Sequence, residues 1–125
     1  MKYLCLIYLN EQELAAIPPK DISDLNARHW DVNDRFRTTG NFIVAEALEP
    51  AKASKCVRVR QGKTTVTDGP FAESKEMVAG FYLLEADSLE EATQLAAQIP
   101  SVSIGTIEVR PARQLMVEGR TSRWG

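Results

Sequence analysis

His29 is the only imidazole in the chain, and it falls on a helical stripe with Ile22, Leu25, Val32 and Phe36. An imidazole titrates near neutrality, and burial lowers its pKa and keeps it neutral, which suits a general base. A second set of chemistry-bearing residues crowds into one stretch, Thr67 to Glu76, reading TDGPFAESKE. Asp68 is the carboxylate that could partner His29, and these two are the expected catalytic residues. Lys75 could hold an anionic group while Glu73 or Glu76 handles a proton. Phe71 reads as an apolar anchor tucked under the loop, and Arg110, just before Pro111, could grip a carboxylate or phosphate with two N–H groups. Phe71, Glu73, Lys75, Glu76 and Arg110 are therefore the expected ligand contacts. Each has a plainer reading beside it. A histidine on an apolar stripe can be a hydrogen-bonded core residue, Asp68 a turn former, the loop charges a solvated face with weak ion pairs, and Arg110 half of an ion pair with one of the acids of the TDGPFAESKE stretch.

The elements that must position these residues follow from periodicity. KYLCLIYL, residues 2–9, is apolar at both alternating sets and reads as a strand buried on both faces. A loop runs from Asn10 to Lys20. Spacings of three and four predict a helix over 22–39, with Asp21 as its N-cap, Asp24 at its positive end and Gly40 terminating it. Trp30 flanks its inner stripe. Strands are expected at 42–48, at 56–60 and 63–67 as a partly exposed hairpin around Gln61-Gly62, and at 77–86, where Gly80 signals a bulge or a close approach of another element. Ser88 and Glu91 form a capping box that starts a second helix, which carries Leu89, Ala92, Leu95, Ala96 and Ile99 inward and stops at Pro100. A last strand spans 104–110. The tail from Pro111, with Arg113, Arg120, Arg123 and Trp124, reads as polar and partly disordered.

The order β-α-β-(ββ)-β-α-β is an α+β, ferredoxin-like split βαβ plan with an added β-hairpin, an antiparallel sheet carrying two helices on one face. Two helices cover one face only, yet the first and fifth strands are apolar on both. The uncovered face needs a partner, and a second copy of the same face gives an isologous homodimer.

Composition narrows the classes. The 125 residues suit a single domain, and 44% hydrophobic with 26% charged residues fits a globular chain. A net charge of −2 and a pI near 5.4 supply no basic face, so no direct nucleic-acid or anionic-membrane binding is expected. The apolar run Tyr3 to Leu9 is too short for a membrane span and reads as a strand rather than a leader, so a cytoplasmic protein is expected. Cys5 and Cys56 have no metal-type spacing, and one histidine adds little, so no metal site is expected. Neither a flavin nor a nucleotide motif is present, so no cofactor is expected.

TDGPFAESKEMVAGFYLLEADSLEEA followed by IEVRP, with the opening MKYLCLIY, resembles the DGPF-domain group of the YCII-related superfamily over about residues 1–112. The resemblance implies a domain at 1–112 with a polar tail at 113–125, and the dimeric α+β barrel fold. It also implies an association with extracytoplasmic-function sigma factors, beside which many members are encoded or to which they are fused. The broader superfamily carries a histidine–aspartate pair. Its histidine lies on the first helix some three turns before the closing glycine, and His29 is similar, 11 residues before Gly40. Its aspartate lies in an Asp-Pro step after the second helix, where this chain has Ile99-Pro100.

Two functional classes remain. One is a small-molecule-binding protein acting as a cofactor-free isomerase, lyase or hydrolase through His29 and a carboxylate, its ligand a small anion. The other is a non-catalytic ligand-sensing or regulatory module associated with a sigma factor.

Overall fold

The computed structural model describes residues 1–122. The chain runs β1 (Lys2–Leu9), α1 (Glu11–Ala15), α2 (Pro19–Thr38), β2 (Phe42–Ala47), β3 (Lys55–Arg60), β4 (Lys63–Asp68), β5 (Met77–Glu85), α3 (Leu89–Ala96), β6 (Thr106–Pro111), β7 (Leu115–Val117) and β8 (Arg120–Ser122). The main sheet is antiparallel in the order β2-β5-β1-β6, the ferredoxin-like arrangement expected from the element order. β3 and β4 form a separate hairpin, closed by Gln61 and Gly62, both at positive φ as a tight hairpin turn requires.

Strand alternation sets the layers. Tyr3, Cys5, Ile7 and Leu9 of β1 are buried, and so are Tyr82 and Leu84 of β5. Against them pack Val32 and Phe36 of α2, Ala96 of α3 and Ile99 beyond it. The opposite face carries Leu4, Leu6 and Tyr8, in register with Leu83, Phe81 and Val78, and all six are only half-buried in the single chain. Among the described residues no helix covers that face.

Gly80 does what its place in a central strand implies. The register shifts beside it, Ile7 facing Gly80 and Tyr8 facing Val78, so Ala79 is the extra residue. A Cβ on Gly80 would come within 2.8 Å of the Glu46 carbonyl oxygen. The bulge also changes the phase of the strand, so Val78 falls opposite Tyr8 and not on the Tyr82 side that simple alternation implies.

Local differences from the sequence reading have plain causes. The loop after β1 holds the short α1, because Asn10 accepts from the Glu13 amide and caps it. α2 begins at Pro19, where a missing N–H costs nothing, so Asp21 sits inside the first turn and is not the cap. Gly40, at φ +79, follows the helix end as expected. Trp30 is 73% exposed and lies outside the core. The tail carries the β7–β8 hairpin up to Ser122, while Arg123 and Trp124 lie outside the described residues. Among the described residues no helix is long and apolar enough to cross a membrane.

Candidate functional site

The inner stripe of α2 brings His29 over the sheet, beside Tyr82 of β5. Its Nδ1 lies 2.9 Å from the Tyr82 hydroxyl, and its Nε2 lies 2.7 Å from Ser101 Oγ. Tyr82 comes from β5. Its ring is held edge-on by Phe36 and Phe42 and stacks near the imidazole, with centroids 6.0 Å apart. Ser101 comes from the 3₁₀ turn Pro100–Ser103 and is buried.

The direction of the hydrogen bonds follows from the end of the chain. The Tyr82 hydroxyl donates to Asn33 Oδ1 at 2.5 Å. Its single proton is thereby committed, so towards His29 it accepts, and Nδ1 carries the ring proton. Nε2 is left as an acceptor, and Ser101 donates to it. Asn33 stands one helical turn after His29 on α2, which is why both reach the same tyrosine.

The electrostatics keep this relay uncharged. Burial lowers the His29 pKa below 6.5, and the neighbouring Arg28 charge adds to the effect. Burial pushes the Tyr82 phenol up to about 12, against a smaller lowering from Arg37. Among the described residues no carboxylate hydrogen-bonds to either ring nitrogen, so an imidazolium formed here would be bonded directly only to neutral hydroxyls.

The relay opens into a cavity of about 620 Å³ between α2 and the sheet. Its wall is mainly apolar, built by residues such as Ile7, Leu25, Ala45 and Leu48, with Asn26 and Trp30 contributing from α2. Among the described residues Glu46, on the edge strand β2, is the one lining residue from among Asp, Glu, Lys and Arg. A cavity of that size and character takes a small molecule with a large apolar part and few polar groups.

The other expected site residues are placed elsewhere. Asp68 ends β4, is exposed and forms an ion pair with Lys55, and it does not line the His29 cavity. Phe71 is 78% exposed and lies beneath the Arg58 guanidinium, 5.6 Å from the ring centroid. The expectation of a tucked anchor is thus corrected: the β3–β4 hairpin is separate from the main sheet, so no core lies beneath the loop. Gly69 is not at positive φ. A Cβ there would collide with Ser54 Oγ, and this close approach is what calls for glycine. Glu73 and Lys75 are exposed. Glu76 accepts from Thr106 Oγ1 at 3.3 Å and, with Glu13, lines a neighbouring cleft of about 560 Å³ that shares Leu9 and Leu14 with the first cavity. Arg110 is ion-paired with Glu108, which also accepts from Tyr8 at 3.0 Å. The Arg110 and Tyr8 hydrogen bonds hold the Glu108 carboxyl below its usual range. Among the described residues no cluster of metal-ligating side chains occurs.

Ser101, Tyr82 and Asn33 were not among the expected site residues. Asn33 had a signal, its four-residue spacing from His29. Ser101 had a weaker one, being the residue after the Ile99-Pro100 step where the related aspartate is missing.

The chain is similar to known proteins over nearly its whole length. The family model for the YCII-related domain matches residues 1–116. An uncharacterised protein of Rhizobium meliloti (strain 1021) is 35% identical over 117 residues, covering 89% of this chain and 91% of the relative. The sheet order, the resemblance of the DGPF stretch and this match converge: the chain belongs to the YCII-related family.

Proposed function

We propose that the protein binds a small, mainly apolar molecule in the cavity between α2 and the sheet, and that His29 exchanges a proton with it without a cofactor. The observation that carries this reading is the relay itself. The single histidine is neutral, fixed at both ring nitrogens and set on the wall of a cavity large enough for a ligand. A base must be unprotonated at the working pH, works best with a pKa near it, and gains from a ring that cannot turn. The ligand class shifts from the anion expected from Lys75 and Arg110. Neither residue lines this cavity, whose one charged lining residue is Glu46, and an uncharged or cationic ligand fits better. The reaction belongs among cofactor-free isomerisations, eliminations or hydrolyses.

Two copies assembled through the open sheet face complete this reading. Leu4, Leu6, Phe81 and Leu83 make a contiguous apolar surface that a single chain leaves half-exposed, and burying it against itself is favourable at about 25 cal/mol per Å². The cytoplasm, where Cys5 and Cys56 would stay reduced, is the compartment that suits this chain.

A regulatory role, through association with a sigma factor, is favoured by a different observation. The DGPF stretch and its hairpin project from the body with Val57, Val59, Val66 and Phe71 exposed, which is a surface for a partner and not a cavity wall.

A thermal-shift screen of uncharged, cationic and anionic metabolites on wild type and His29→Ala separates these readings. Uncharged or cationic hits whose shift falls in His29→Ala support the cavity reading. Anionic hits that are indifferent to the substitution contradict it.

A further inference from the structure

The second nitrogen of His29 points at a hydroxyl that the proton-transfer reading leaves unused. Ser101 donates to Nε2 at 2.7 Å, Nδ1 donates to Tyr82 at 2.9 Å, and Tyr82 donates to Asn33 at 2.5 Å. A nucleophile bonded to a base, with the base oriented by a third group, is the arrangement that activates serine for acyl transfer. Tyr82 with Asn33 here takes the orienting role that a carboxylate or carboxamide takes elsewhere. Ser101, though only 4% exposed, also lines the cavity, so its Oγ borders the space where an electrophile would bind.

We propose that Ser101 is a nucleophile and that the cavity takes a carboxylic ester with a small apolar acyl group. This rests on the reading that His29 is a base facing a ligand cavity. Ser101 Oγ attacks the carbonyl carbon and its proton passes to His29 Nε2. The bond from that carbon to the leaving oxygen breaks, and the leaving oxygen takes the proton from Nε2. The products are an acyl-Ser101 ester and a free alcohol or phenol. Water then attacks the acyl carbon, gives a proton to Nε2, and Ser101 Oγ recovers it as the carboxylic acid departs. No electron acceptor or donor enters at any point. The carboxamides of Asn26 and Asn33 and the indole of Trp30 carry side-chain N–H groups on the cavity wall that could serve the developing oxyanion. Because the orienting group is a neutral phenol, the imidazolium is less stabilised than beside a carboxylate. An ester with a good leaving group therefore suits the site better than an amide.

The test exposes wild type, Ser101→Ala and His29→Gln to p-nitrophenyl butyrate, reading p-nitrophenolate release, intact mass and the acylated peptide. The expected result is one butyryl group mapped to Ser101 in wild type. It is absent in Ser101→Ala, and acylation is slower by about 100-fold in His29→Gln. Acylation at another residue, or equal release by wild type and Ser101→Ala, overturns the proposal. p-Nitrophenyl butyl ether keeps the shape without the ester, and its quenching of Trp30 fluorescence is read in a Trp124→Phe background. Ether binding to Ser101→Ala without any wild-type acylation overturns the serine chemistry alone. Neither binding nor acylation overturns the cavity reading with it.

Discussion

Nε2 of His29 lies 2.7 Å from Ser101 Oγ across 72 residues of chain, and it accepts there because Tyr82 has committed its own proton to Asn33. That relationship puts the imidazole in a single tautomer with a neutral neighbour on each side. It also makes the first prediction easy to read, since the chain has one histidine and so gives one set of ring resonances in an NMR titration. The midpoint is expected below 6.5. A midpoint at or above that value would show that the ring is better solvated, or better paired, than the relay allows.

The same depression sets a sign for stability. The unfolded chain binds a proton at His29 near the ordinary pKa of 6.5, whereas the folded chain binds it only at lower pH. Between the two pKa values the unfolded state holds more protons, so stability rises with pH there and is fully present above about 6.5. Urea unfolding at a series of pH values is expected to show a decline on acidification through this window. The His29→Gln variant should show a shallower decline, and equal slopes would contradict the assignment.

Removal of the Tyr82 hydroxyl leaves His29 Nδ1 and Asn33 Oδ1 without their shared partner. Tyr82→Phe keeps the ring contacts with Phe36 and Phe42, so the expected loss is that of unsatisfied polar groups, about 1–3 kcal/mol. Chemical denaturation measures it, and a neutral result would mean that water replaces the phenol without penalty.

Much of the fold was legible because it rests on period. The 3.6-residue stripe of α2, the two-sided alternation of β1 and the capping box before α3 each reflect burial that any sheet-and-helix packing imposes. Gly80 could be read as a close-approach site because a central strand tolerates glycine poorly without a reason. The candidate site was legible only in its first residue. His29 stands on the stripe, but Ser101 joins it through tertiary folding alone, and Tyr82 looks like any other inward residue of β5. Asp68 and Phe71 carry conspicuous chemistry in the sequence, yet their hairpin is separate from the sheet. Motif density marked a shaped turn there, with Gly69 packed close against Ser54.

Gly80→Ala tests the close approach that shapes the cavity wall. A Cβ would sit 2.8 Å from the Glu46 carbonyl, and the β2 backbone must move to relieve it. A destabilisation of about 1–3 kcal/mol is expected by denaturation, with loss of amide protection centred on β2. Wild-type stability in this variant would mean that the edge strand shifts at no cost.

The open sheet face is tested by Leu83→Lys, which places a charge among Leu4, Phe81 and Val44. Light scattering is expected to give a dimer for wild type and a folded monomer for the variant. A wild-type monomer at micromolar concentration would contradict assembly through this face.

The central claim is that the space beside His29 is where a ligand binds. Its most direct measurement is a crystal structure with the best uncharged or cationic compound from the thermal-shift screen. The account predicts density between α2 and the sheet, with a polar atom of the ligand in hydrogen-bonding reach of His29 or Ser101. Density on the β3–β4 hairpin or on the open sheet face, with the relay untouched, would contradict it.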